Sequence, residues 1–243
     1  SQRNIPMRTK FLLLLLTFVC IPQNTFADSR KEVLDLLQEV RKAYYRADAI
    51  LETITEVLPP SVEGESQTQV TKLAIGKDTG QMSSQGGNYI WNGEALYLTL
   101  DSVPDAYIKV KARTFLRGLN EISDVVPKPW SLAFRDSRSY KKWLISLCLY
   151  NTNDVENEIV DLTTAENQEG IQIISLKSTL GKTVIGTTEV HVTNEKLISK
   201  VVNTLVIEDA QDVVINRTAQ TTIVDRIPGV LFEQGNRVRI GTF

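Results

Sequence analysis

Histidine and cysteine are nearly missing from this 243-residue chain, which has one histidine, His191, and two cysteines, Cys20 and Cys148. A single histidine cannot build a multi-histidine metal centre, and with no HxxxH or CxxC spacing nearby a zinc site is excluded. No G-x-S-x-G elbow or other hydrolase signature occurs. The pair Gly86-Gly87 has neither the spacing of a phosphate loop nor a following Lys-Ser/Thr. Acidic residues are scattered, so no carboxylate pair stands out for acid–base work. No lysine or arginine cluster is dense enough to neutralise a phosphate backbone, which argues against nucleic acid. These absences leave a chain read as non-enzymatic, with no cofactor and no metal. His191, between Val190 and Val192, reads as a solvated strand residue. Cys148 lies in the apolar run 144–149 and reads as a buried, inert thiol, because reactivity needs exposure and a positive neighbour.

Long apolar runs are also scarce, and the longest is at the N-terminus. Met7-Arg8-Thr9-Lys10 is a short positive start, and Phe11 to Pro22 follows with five consecutive leucines. Thr25-Phe26-Ala27 then offers small residues three and one before a cut. Together these features predict a secretory signal peptide at residues 1–27, cleaved after Ala27, with residues 1–6 as an upstream extension. The apolar run is about 12 residues, short of the ~20 that span a bilayer, so no stable membrane span is expected after processing. Val19 precedes Cys20 where a bacterial lipidation signal wants a small residue, so lipidation is not expected. Removing Arg3, Arg8 and Lys10, and no acid, leaves 24 basic and 29 acidic residues, a net charge of −5. Without Cys20, Cys148 has no intramolecular disulfide partner. The expected location is periplasmic or otherwise secreted, and an oxidising compartment permits disulfides without requiring them.

Residues 28–243 read as one domain, large enough to bury a core without disulfides or metals. Ser29-Arg30-Lys31-Glu32 is a capping box. After it Val33, Leu36, Leu37, Val40, Ala43, Tyr44 and Ala47 recur at helical spacing, which predicts an amphipathic helix. From residue 50 the period becomes two. Strands are predicted at 50–57, 70–75, 81–89, 89–91, 94–100 and 106–112, with a type I′ hairpin at Asn92-Gly93. Residues 113–150 break the pattern, with short helices expected at 114–122, 130–134 and 139–149 around a crossing fixed by Pro127 and Pro129. Strands resume at 157–164, 170–178, 184–193 and 196–208, with a tight turn at Asn194-Glu195, and further candidates lie at 213–215, 220–224 and 237–240. Asn216-Arg217-Thr218 has the form of a glycosylation sequon, which matters only in a eukaryotic source.

The predicted class is α+β: a strongly curved antiparallel sheet, an incomplete barrel, with an N-terminal helix and a helical insertion covering its mouth. Sheet and helices must each hide an apolar face against the other. Tyr89, Trp91 and Tyr97 in the meander, and Trp130, Phe134 and Trp143 in the insertion, are placed to line an apolar cavity between the layers. Tyr107 and Leu144 complete the candidate ligand-binding set. The same side chains serve equally well as plain core.

The first helix with its Ala43-Tyr44-Tyr45-Arg46-Ala47 end, the long strand directly after it, and the Trp91-Asn92-Gly93-Glu94-Ala95-Leu96-Tyr97 hairpin resemble the periplasmic outer-membrane lipoprotein carrier (LolA-like) superfamily. Asp105-Ala106-Tyr107-Ile108 falls where a Tyr-containing strand often follows. The pair Val190 to Lys200 is similar to that family's late hairpin, with Thr193 where Asp is usual. The resemblance covers most of residues 29–225 as a pattern. It implies an incomplete barrel plugged by helices, and a carrier for lipoprotein acyl chains or another apolar ligand. The other reading it leaves is a regulatory or scaffold module whose partner is an envelope protein and whose cavity is filled by its own side chains. A secreted enzyme is the third reading, and no residue constellation supports it.

Overall fold

The computed structural model describes residues 24–60, 65–84, 86–122, 129–148, 154–165, 170–207, 211–227 and 238–242. The predicted export signal lies outside these residues up to position 23. The first element, α1 (Asn24–Arg46), buries Val33, Leu36, Leu37, Val40 and Tyr44 along one stripe, as the periodicity predicts. The helix begins at Asn24, however, so the Ser29–Glu32 capping box lies inside it rather than at its start. No proline or glycine between Asn24 and Asp28 stops the helix from extending upstream.

Six strands follow: β1 (Ala49–Leu58), β2 (Gln67–Ile75), β3 (Gly80–Ser84), β4 (Gly87–Trp91), β5 (Ala95–Leu100) and β6 (Val103–Lys111). The helical insertion contains α2 (Phe115–Ile122), α3 (Trp130–Asp136) and α4 (Tyr140–Leu147). Then come β7 (Val155–Thr164), β8 (Gln172–Leu180), β9 (Thr183–Val192), β10 (Ile198–Leu205), β11 (Val213–Val224) and β12 (Val238–Thr242). They form one open sheet in the order β12-β6-β5-β4-β3-β2-β1-β11-β10-β9-β8-β7. Every described pairing is antiparallel except β12 on β6, which is parallel and departs from the purely antiparallel expectation. The predicted strands at 213–215 and 220–224 are one continuous β11. Its polar middle stays extended because it pairs with β1 on one side and β10 on the other.

The sheet is strongly curved and does not close, which makes the fold an α+β incomplete barrel. Strands sit about 4.8 Å apart, so a flat sheet of this order would measure roughly 50 Å across. Yet Trp91 and Leu96 from one half share a single buried cluster with Ile174 and Val190 from the other. Helices complete the ring where strands do not: α1 lies against β7, α3 against α1, and α2 against α3, β5 and β6. The helices therefore fill the gap between the two ends of the sheet.

Two turns differ from the sequence reading. At Asn92-Gly93 only Gly93 has a positive φ, of 91°, so the hairpin is not type I′. The Asn92 side chain shapes it instead, its Oδ1 accepting from the amides of Glu94 at 3.2 Å and Ala95 at 3.0 Å. This is the Asx-type alternative to a backbone turn. The predicted Asn194-Glu195 turn includes Lys196, which takes the left-handed position with φ 63°. Lys196 N donates to Thr193 O and Thr193 N donates to Leu197 O, a three-residue hairpin loop with a left-handed third residue.

Glycine also sets the seat of α2. A Cβ on Gly118 would stand 2.8 Å from the Leu96 Cβ and 3.1 Å from the Ala112 Cβ, so the helix touches β5 through its backbone. Gly118→Val is expected to lower stability by about 2 kcal/mol through overpacking. Chemical denaturation checks this, and an unchanged midpoint would contradict the close seating of α2.

Candidate binding site

Six of the eight sequence-selected residues lie inside the curved sheet. Tyr89 and Trp91 are alternate residues of β4 and point to the inner face, where both are buried. Trp130 and Phe134 of α3, and Trp143 and Leu144 of α4, cover that face from above and are likewise buried. Tyr97 and Tyr107 are elsewhere. Their strands turn them to the opposite, outer face, where their rings pair at 5.8 Å with the Lys109 ammonium 5.3 Å from the Tyr97 ring. The period of two places Tyr97 one step out of phase with Leu96 and Leu98, which are the inward residues of β5.

The inward rings form two groups. Trp91 stacks on Phe115 of α2 with centroids 6.5 Å apart, and its Nε1 donates to Ala112 O at 3.0 Å. Phe134 stacks on Trp143 at 5.4 Å, between Tyr44 of α1 at 6.0 Å and Tyr140 edge-on to Trp143 at 6.1 Å. Trp130, Phe134 and Trp143 have no exposed surface. The compartment behind α3 and α4 is therefore occupied by the protein's own side chains. An open depression of about 520 Å³ lies at the far end of β1, lined by Leu58, Pro59, Pro60, Val213 and Val214.

A second layer of the site is polar. Helix ends leave carbonyls without intrahelical partners, and here side chains from the insertion, α1 and the sheet supply the donors. Arg41 Nε donates to Ser137 O at 3.2 Å, and Ser137 O also accepts from Trp143 Nε1 at 3.0 Å. Arg135 Nη1 donates back to Ala47 O at 3.2 Å, tying α3 to the end of α1. Leu147 O, in the last turn of α4, accepts from Arg217 Nη2 at 2.6 Å and Asn203 Nδ2 at 3.1 Å, both on the inner face of the sheet.

Glu52 is the most buried acid among the described residues. It is 3% exposed on β1 between the inward Ile50 and Ile54, and accepts from Ser131 Oγ of α3 at 2.5 Å and from Thr221 Oγ1 of β11 at 2.9 Å. Burial pushes its carboxyl up to about 7, against the pull of the two hydroxyls. Tyr44, whose hydroxyl accepts from Ile198 N at 3.1 Å, is raised as well, first by burial and then by the nearby Glu52. Cys148 is buried as expected, beside Thr188 and Ser178, and burial raises its thiol. His191 is less solvated than its sequence suggests: its side chain is 15% exposed and burial lowers its basicity.

Glu52, Ser131, Asn203, Arg217 and Thr221 were not singled out as site residues from sequence. For Glu52 the signal is present, because it shares the phase of Ile50 and Ile54. For Arg217 it is masked by the sequon it sits in.

No family model and no curated protein matches the chain. Among solved structures, the chain is similar to a LolA superfamily protein from Nitrosomonas europaea, with a TM-score of 0.39 and 8% identity over 80% of this chain and 94% of that one. It is similar to LprF from Mycobacterium bovis at a TM-score of 0.33 and 11% identity, over 79% and 93% of the two chains. Similarity to the lipoprotein LppX of Mycobacterium tuberculosis gives 0.31 and 14% over 76% and 93%. Superpositions this loose transfer no residue role and no ligand to this chain.

The buried acid makes a pH prediction. A carboxyl near 4.5 when unfolded and about 7 when folded favours the native state while protonated, so that stability is full below 4.5 and is lost as pH rises through 7. The loss is on the order of 3 kcal/mol. Glu52→Gln is expected to remove most of the decline in melting temperature between pH 5 and pH 8 relative to the unaltered protein. Parallel melting curves for the two proteins would refute a buried acidic Glu52.

Proposed function

We propose that this chain is an extracytoplasmic, non-enzymatic carrier or binding protein for lipoprotein acyl chains or another apolar ligand. In this reading its export signal is cleaved after Ala27, and residues 28–243 act as one domain. The observation that carries the reading is the construction of the interior. One wall is a continuous curved sheet, and the other is a pair of short helices that insert Trp130, Phe134, Trp143 and Leu144 into it. Neither short helix is stable by itself, since isolated helices below about 12 residues are marginal in water. Displacing them uncovers an apolar face without breaking the ladder of the sheet. The resemblance of the first helix and the Trp91–Tyr97 hairpin to lipoprotein carriers supports the same reading. Among the described residues no helix is long and apolar enough to cross a membrane.

A second reading has its own observation. The complete burial of Trp130, Phe134 and Trp143 suits a self-filled module that binds an envelope protein partner and no lipid.

A single titration separates the two. Addition of a fluorescent fatty acid is expected to give saturable binding, with a change in tryptophan emission as the buried indoles move. Trp143→Ala, which opens space, is expected to tighten uptake while lowering stability by about 3–5 kcal/mol. No uptake by either protein, with native folds by circular dichroism, would leave the scaffold reading.

A further inference from the structure

Arg217 is an unusual residue for the inner face of this sheet. It stands on β11 opposite Glu56 of β1 and Val201 of β10. Its Nη2 donates to Leu147 O and, at 2.8 Å, to Asn203 Oδ1, and its Cζ lies 5.5 Å from the centre of the Trp130 ring. Its Nε is buried and has no hydrogen-bond partner among the described residues. Nor does it form an ion pair among those residues; Glu56 acts on it only through space, and burial works against its charge. A half-buried guanidinium with no carboxylate in hydrogen-bond contact is costly, because an ion drawn from water needs a close opposite charge to offset its desolvation. Among the described residues Arg217 bonds to neutral acceptors alone, and its Nε–H is unused.

The acceptor it has is also informative. Leu147 O receives donors from two sheet residues at once, Arg217 and Asn203, and Asn203 is itself oriented by donating to Thr188 Oγ1 at 2.8 Å. Two donors converging on one oxygen are what a phosphate or carboxylate oxygen requires, and the guanidinium fork matches such oxygens in a planar, two-point fashion. The oxygen now in that position belongs to α4, the helix that would move if a guest entered. The apolar inner face lies beside it.

We infer that Arg217 and Asn203 form a seat for the anionic head, phosphate or carboxylate, of an amphiphile whose chains lie on the inner face of the sheet, and that the Leu147 carbonyl occupies this seat when no guest is bound. This inference rests on the carrier reading for the chains and adds the head group. A guest of this kind releases α4 by taking both of its donors, so head recognition and opening of the compartment are one event.

The test compares two fluorescent lipids with identical acyl chains, a phosphatidic acid and a diacylglycerol, with inorganic phosphate as a third probe. The intact protein is expected to bind the phosphatidic acid about tenfold more tightly, the size of one charge-assisted bond. Arg217→Gln is expected to erase that preference, so that the two lipids bind the variant with equal affinity. Arg217→Lys, which keeps the charge but not the fork, is expected to retain part of the preference and guards against misfolding of the first variant. Equal affinity for the two lipids, or a preference that survives Arg217→Gln in a folded protein, overturns the head-group seat and leaves the carrier reading standing. Binding of inorganic phosphate that depends on Arg217, without lipid uptake, supports the anion seat and overturns the carrier reading. Absence of binding by all three probes overturns both.

Discussion

The two ends of the sheet do not meet, and alternation along its strands leaves the inner face largely apolar. Unpaired strand edges and a bare apolar face are each unstable in water. Helix α1 addresses both together by lying along β7 while its buried stripe joins the core. The insertion then spans from α1 to β5 and β6 through α3 and α2. Everything described about the site depends on this arrangement, because it makes short helices, rather than strands, the outer wall of the interior.

Short helices held in this way need anchors, and the anchors are polar. Each tie runs from a side chain to a backbone carbonyl near a helix end: Arg41 to Ser137, Arg135 to Ala47, Arg217 and Asn203 to Leu147. Such bonds contribute about 1 kcal/mol each, more when the donor is charged. They also differ in kind from the aromatic packing beneath them. Stacked rings tolerate sliding, whereas a carbonyl with two fixed donors has one position. The insertion is thus located by a few directional bonds and stabilised by many non-directional contacts.

The interior is not uniformly oily. Glu52 and Arg217 bring opposite charges to the inner face, on neighbouring antiparallel strands but at different heights; Thr221 stands opposite Glu52, and Glu56 opposite Arg217. Glu52 relies on two hydroxyls, one from the insertion and one from β11. Arg217 relies on a carbonyl and an amide. Each joins the insertion to the sheet, so the charged groups are placed at the joint between the parts of the fold.

Sequence by itself determined the local elements. Period-two alternation marked β1, β5 and β9, and the helical spacing from Val33 to Ala47 marked α1, because those patterns are set by backbone geometry alone. The choice of Trp91, Trp130, Phe134 and Trp143 as interior residues also followed from residue type and position. Tertiary structure decided the rest. Tyr97 and Tyr107 read like their neighbours but face outward, since one residue of phase moves a side chain to the other face of a sheet. The Asn92 turn depended on its own side-chain bonds, and β11 was unbroken because the distant β1 flanks it on one side and β10 on the other. Arg217 and Asn203 acquired a common partner only when α4, more than fifty residues away in the chain, was folded down onto them. Contacts between remote segments carry no local pattern, and for that reason the polar joint of this fold could not be read before the chain was folded.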